Sequence, residues 1–335
     1  MSSESMRLWA FCKRAFAVAI AVALAAPALA QINWDMPTAY PADNFHTANI
    51  RQFADDIESA SNGKLKIVVH PNASLFRAPE IKRAVERSEA PIGEILLVNF
   101  ESEDPLYGLD GIPFLATSYG DALRLYKASK KALSDKLARQ GMRLLYTVPW
   151  PPQGIYTKRE LASVTDMKGL KWRAYNPATW KLAELVGAQP VAVRAPDVSQ
   201  ALATGAIDSY MSSGATGYDS KTYELIKNFY DIQAWLPKNA VIVNKKAFDT
   251  LDKSTQAALI RVAADAEARG WKLSEEKSDW YIQQLKLKGM TIAKPSEQFS
   301  AELKRLGNYM LAEWLRKSRD EGRGVIDAYR AMERQ

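Results

Sequence analysis

Cysteine is almost absent: the 335 residues hold one, Cys12, inside an N-terminal segment that reads as removable. Without it the chain has no thiol, which excludes disulfides, thiol nucleophiles and cysteine metal sites and suits an oxidising compartment. Histidine is nearly as scarce. His46 and His70 are the only two, and neither has a partner at metal-ligand spacing, so no metal and no cofactor are expected. No phosphate loop, dinucleotide fingerprint or Gly-x-Ser-x-Gly elbow occurs. Ser274 to Lys277 matches Ser-x-x-Lys, but the companion motifs are missing and a solvated helix face accounts for it. The carboxylate pairs Asp55-Asp56 and Glu275-Glu276 are neighbours on helical stretches and point to different sides, so neither makes an acid/base pair. An enzyme is therefore not expected. There is no basic stripe either. The formal charge of +7 falls to about +5 when Arg7, Lys13, Arg14 and Glu4 leave with the first thirty positions, and the remaining bases are interspersed with acids. Nucleic acid is excluded as a partner on that ground.

What is present begins with a three-part leader. Arg7, Lys13 and Arg14 form a positive region, Ala15 to Ala26 an apolar run too short to span a membrane, and Ala28-Leu29-Ala30 a small-residue cleavage site. The pattern predicts a signal peptide over 1–30, cleaved after Ala30, and a periplasmic protein. No later stretch is long and apolar enough to span. With 47% hydrophobic and 25% charged residues the rest has the composition of a folded globular chain, and its length favours two lobes.

Strands and helices alternate. Strands are expected at Gln31 to Met36, Lys64 to Val69, Glu94 to Asn99 and Arg143 to Val148, with helices Asn44 to Ser61, Pro79 to Arg87 and Tyr119 to Gln140 between them. A second unit starts at Ile155: strand Lys171 to Tyr175, helix Pro177 to Val186, strand Pro190 to Val193, helix Asp197 to Thr204, strand Ala206 to Met211. A strand from Lys238 to Asn244 leads out of it. This alternation predicts mostly parallel sheets flanked by helices. Beyond Lys253 the chain turns helical. Ser254 is read as an N-cap, and Ile260, Ala264, Trp271, Tyr281 and Leu285 keep an apolar stripe for about thirty residues, a length that suits a brace across two lobes unless Gly270 breaks it. Met290 to Ala293 reads as a short strand and Ser300 to Glu333 as a pair of terminal helices. Lobe I is thus assigned 31–154 plus 244–335, with the brace, and lobe II 155–243.

Arg173 stands out within the second unit. It lies near the carboxyl end of a strand, where open α/β sheets bind ligands, although position alone leaves an edge-strand arginine on a solvated face equally open.

The segments Gly169-Leu170-Lys171-Trp172-Arg173, Leu185 to Val191 and Asp197 to Asp208 resemble the central signature of the solute-binding proteins of TRAP (tripartite ATP-independent periplasmic) transporters. Gly63-Lys64-Leu65, Gly111 to Leu115 and the strand Asn239 to Val243 before a long helix add to the resemblance, which spans nearly the whole mature chain. It implies two α/β lobes of the periplasmic-binding-protein kind, a long helix bracing both, and a small organic carboxylate enclosed by hinge closure and delivered to membrane permease subunits by a monomer. It also implies that Arg173 forms a salt bridge to the ligand carboxylate. A guanidinium fork matches a carboxylate with two parallel hydrogen bonds, which a lysine cannot reproduce. Further site positions carried over from the family are Tyr40, Asn44, Trp150, Gly154, Tyr156, Met211, Ser212 and Ser213, with Tyr175, Asn176 and Trp235 close by. Ser199 stands where the family often has tyrosine and Ser209 where glycine is usual. Near Tyr156 only Lys158-Arg159 offer positive charge, which counts against acidic-sugar ligands. The aromatic candidates favour a monocarboxylate with an aromatic or short hydroxy- or keto-acid body. The competing readings are a secreted hydrolase or isomerase acting on a carboxylate and a binding protein serving a sensor kinase.

Overall fold

The computed structural model describes residues 31–333; the expected leader and its cleavage site after Ala30 lie outside them. Two α/β lobes face each other. In the first, strand β1 (Ile32–Pro37) leads through helix α1 (Phe45–Ala60) to β2 (Leu65–His70), which pairs with β1 in parallel, Ile32 opposite Leu65. Helix α2 (Ala78–Glu86), β3 (Ile92–Leu96), α3 (Tyr119–Arg139) and β4 (Met142–Pro149) follow. The second lobe holds β5 (Gln153–Thr157), β6 (Lys171–Ala174), α4 (Pro177–Leu185), β7 (Gln189–Ala192), α5 (Val198–Ala203), β8 (Ser209–Ser213), α6 (Gly214–Asp219) and β9 (Asn228–Tyr230). Strand β10 (Lys238–Asn244), helices α7 (Lys245–Asp249) and α8 (Lys253–Leu287), strand β11 (Thr291–Ala293) and helix α9 (Glu297–Glu333) close the described chain.

Strand order explains how the lobes interlock. β10 lies between β3 and β4, antiparallel to both, whereas β11-β9-β5-β8-β6-β7 form a six-stranded sheet in the second lobe. The sheets are mixed instead of mostly parallel: β5 runs against both β8 and β9. The cause is the crossing geometry, since a strand that has just left one lobe enters the next sheet against its neighbours. The chain crosses at Trp150 to Pro152 and returns at 231–237. These two segments bond to each other, Trp150 N to Pro237 O at 2.8 Å and Gln153 N to Trp235 O at 3.0 Å. Pairing also redistributes the expected lobe segments. All of β10 joins the first lobe's sheet, while β11 and the first half of α9 go with the second: Phe299, Leu303 and Met310 pack into the core around Trp172 and Leu182.

Helix α8 runs unbroken for 35 residues, about 50 Å at 1.5 Å per residue, capped by Asp252, whose carboxylate accepts from Thr255 N, and not by Ser254. It packs on α1 and β4 of the first lobe and on α6 and β11 of the second. Gly270 does not break it. A Cβ there would lie 2.4 Å from Val148 Cγ2, so glycine lets the brace approach β4. The terminal pair of helices meets at Arg319, whose φ of 54° turns the chain inside α9.

Candidate functional site

The lobes enclose a cavity of about 330 Å³, within the range for small-molecule sites. Tyr40, Asn44 and Trp150 line it from the first lobe and the crossing; Arg173, Tyr175, Ser212 and Ser213 line it from the second.

Arg173 sits on β6 opposite Val191 of β7 and Tyr210 of β8, only 3% exposed. Its Nε donates to Val193 O at 2.9 Å, and its guanidinium lies 5.0 Å from the Tyr175 ring centroid and 5.9 Å from that of Tyr210. Burial lowers its pKa, yet an arginine remains a cation at neutral pH. Among the described residues no carboxylate lies within 4 Å of it. A buried cation whose terminal nitrogens lack a protein partner is costly, and an entering carboxylate removes that cost.

The aromatic wall opposite is held from behind. Asn239 on β10 accepts at Oδ1 from Trp150 Nε1 (2.9 Å) and from the Tyr40 hydroxyl (3.2 Å). Its amide donates to Glu94 Oε1 at 2.9 Å, and the Thr38 hydroxyl donates to Glu94 Oε2. Burial pushes the Glu94 carboxyl up to about 7. The His46 ring lies tilted 4.3 Å from Trp150 with Nδ1 3.6 Å from Glu94, and burial holds it well below the usual imidazole value, so it is neutral. Asn44 caps α1, accepting from His46 N at 2.9 Å, and its amide reaches across the cleft to Asp219 Oδ2 at 2.7 Å.

Five of the residues carried over from the resemblance do not face the cavity. A Cβ on Gly154 would lie 2.3 Å from the Phe229 ring, so this glycine serves sheet packing. Tyr156 stacks on Tyr210 at 4.5 Å and donates to Ser213 O. Asn176 caps α4 by accepting from Thr179 N at 2.7 Å. Met211 and Trp235 are buried in the second lobe's core. Conversely Gln153, Asp219 and Thr216 line the cavity and carried no signal, because their elements, five and six residues long, are too short to show a period. Gln153 takes the Tyr175 hydroxyl on Oε1 (3.2 Å) and donates to Pro151 O (2.9 Å), tying one cleft wall to the crossing.

The model of a family described as bacterial extracellular solute-binding protein, family 7, matches residues 38–317. The chain belongs to that family. Among solved structures, the chain is 60% identical to DctP6, a Bordetella pertussis extracytoplasmic solute receptor binding pyroglutamic acid, with a TM-score of 0.89 over 90% of this chain and 100% of that one. It is 43% identical to a marine metagenome TRAP solute binding protein specific for pyroglutamate, solved with co-purified pyroglutamate (TM-score 0.88, 90% and 99% covered). A second B. pertussis receptor binding pyroglutamic acid, DctP7, is 40% identical (TM-score 0.88, 89% and 99% covered). Family 7 proteins bind solutes, and no helix among the described residues is long and apolar enough to cross a membrane.

Proposed function

We propose that this family 7 protein is the periplasmic receptor of a TRAP transporter and that its ligand is pyroglutamate, a five-membered lactam bearing one carboxylate. The observation that carries the reading is the buried Arg173 guanidinium in the cavity wall, with no carboxylate paired to it among the described residues. The ligand carboxylate takes the two terminal nitrogens as a fork, each charge-assisted bond contributing roughly 1.5–3 kcal/mol. Tyr40, Trp150 and Tyr175 supply flat walls for the small ring, and Asn44, Ser212 and Ser213 supply polar contacts. The lobes close about the crossing segments on binding, and the closed form delivers the ligand to the membrane permease. A lactam monocarboxylate departs from the hydroxy-, keto- or aromatic acid favoured by the residues alone; three relatives at 40% identity or more whose names carry pyroglutamate support it. The leader over 1–30 fits export of such a receptor.

Titration calorimetry on the mature chain tests this against pyroglutamate, glutamate, succinate and a sugar acid. One-to-one binding of pyroglutamate, tighter than the other three and without turnover, is expected. Absence of heat and of any rise in melting temperature with pyroglutamate rejects the ligand, and product formation rejects the receptor.

A further inference from the structure

The cavity that Arg173 faces also contains a negative group. Among the described residues lining it, Asp219 at the end of α6 is the one acid, set among the cations Arg77, Arg173 and Arg194. It is not there to neutralise them. Arg194 is paired with Asp197 (2.7 Å), Arg77 is exposed, and no ion pair joins Asp219 to Arg173. Asp219 instead gives Oδ2 to Asn44 of the other lobe at 2.7 Å, which fixes the carboxylate across the closed cleft. Oδ1 has no hydrogen-bond partner among the described residues and is not fully buried.

A carboxylate in the wall of an anion site repels the anion unless the ligand brings a hydrogen-bond donor, because an ionised Asp has only acceptors to offer. Resting on the pyroglutamate reading, we propose that Asp219 is a specificity-determining residue that accepts an N–H of the bound acid on Oδ1, so the cleft selects carboxylates bearing an N–H beside the acid group. Arg173 and Asp219 then read the two ends of one donor–acceptor pattern. Pyroglutamate carries it: the lactam nitrogen is bonded to the same ring carbon as the carboxylate. Replacing that N–H by oxygen gives the lactone acid 5-oxotetrahydrofuran-2-carboxylate, of the same shape but with lone pairs aimed at Asp219.

The test measures four dissociation constants with the full mature chain: pyroglutamate and the lactone acid, and pyrrole-2-carboxylate and furan-2-carboxylate, which repeat the exchange of an uncharged N–H for oxygen without the ring carbonyl. The native protein should bind pyroglutamate about a hundredfold more tightly than the lactone, the loss of one charged hydrogen bond. In Asp219→Asn, whose amide can turn a donor toward the ring oxygen, the gap should shrink to under about tenfold by the same reasoning, with lactone binding itself reporting an intact fold. Equal affinity of the native protein for pyroglutamate and lactone overturns the proposal and leaves the pyroglutamate reading standing. An unchanged ratio in Asp219→Asn also overturns it. If pyroglutamate fails to bind but pyrrole-2-carboxylate binds better than its oxygen analogue, the ligand reading falls and the donor rule stands; binding of neither N–H acid rejects both.

Discussion

Arg173 Nε donates to the Val193 carbonyl at 2.9 Å, and this bond to the chain leaving β7 holds the guanidinium so that its two terminal nitrogens are left for the cavity. The residue is bound to backbone and stacked on tyrosine, but carries a buried positive charge with no counter-ion among the described residues. Function and stability should therefore pull apart here. Arg173→Lys keeps charge but loses the fork, and should weaken pyroglutamate binding at least about tenfold. Arg173→Met should abolish measurable binding yet raise the melting temperature of the ligand-free protein by about 2–4 °C, since an unpaired buried charge is replaced by an apolar chain. Calorimetry and thermal unfolding of the same preparations check both; a lower melting temperature for Arg173→Met would mean that the charge is compensated in the ligand-free fold.

Asp219 makes affinity depend on pH. Burial raises its carboxyl to about 6, with Asp43 pushing the same way and Lys277 and the Asn44 hydrogen bond opposing. Tyr156 and Tyr281 are the other titrating neighbours, both raised by burial and neutral throughout. The ionised form accepts the ligand N–H in a charge-assisted bond; the protonated form offers only a weaker, neutral acceptor. As pH falls through about 6 the affinity for pyroglutamate should drop, by up to about tenfold per pH unit, while the ligand's own carboxylate stays ionised until far lower pH. Dissociation constants measured from pH 8 to pH 4.5 should bend near 6 in the native protein and run flat in Asp219→Asn. A flat native profile would remove Asp219 from the binding step.

How much of this was legible beforehand follows from element length and from pairing. β2 (Leu65–His70), rich in β-branched residues and ending before Pro71, and the 35-residue α8 carry local signals strong enough to read. β5 and β9, five and three residues long, do not, and they pair antiparallel with each other in the second lobe's mixed sheet. Arg173 was visible by position, but its burial without an acid is a tertiary fact. Gly154 and Tyr156 were carried over with the right neighbourhood and the wrong face, because a strand turns alternate residues away from a cleft and no local feature says which. Asp219 belongs to a six-residue helix, and its partner Asn44 lies 175 positions away.

The close approach of α8 to β4 makes its own prediction. Gly270→Ala gains about 1 kcal/mol of helix propensity. Against that, the new methyl meets Val148 Cγ2 at 2.4 Å and Asn49 Nδ2 at 2.8 Å. Asn49 cannot swing away cheaply, because it donates to Ala266 O (3.1 Å) and accepts from Arg269 Nε (2.8 Å). Overpacking of this kind costs about 1–3 kcal/mol, so the net change should be a loss of stability. Urea unfolding measures it, and a stabilised variant would show that the brace does not press on the sheet.

Behind the aromatic wall, Glu94 should leave a signature in stability. Its carboxyl is raised by burial from 4.5 to about 7, and hydrogen bonds from Thr38 and Asn239 only partly offset this. The native state therefore holds the proton more tightly than the unfolded chain does, and unfolding releases it between those two values. The sign follows: stability is greatest at the acid end and is lost as pH rises through 4.5 to 7, by on the order of 3 kcal/mol, levelling off above. Glu94→Gln removes the titration but keeps both partners, since the amide oxygen accepts from Asn239 and the amide nitrogen donates to the Thr38 hydroxyl, reversing that bond. Asn239 then still holds Trp150 and Tyr40, so ligand affinity should change little. Urea unfolding at pH 5 and pH 8 should show the native protein losing more stability than Glu94→Gln across that interval, with carboxyls such as Asp219 common to both. If Glu94 were instead ionised and paired with a protonated His46, 3.6 Å away, acidification would break the pair, and the native protein would lose stability toward pH 5 relative to the variant. The sign of that difference decides between a neutral pair and an ion pair behind Trp150.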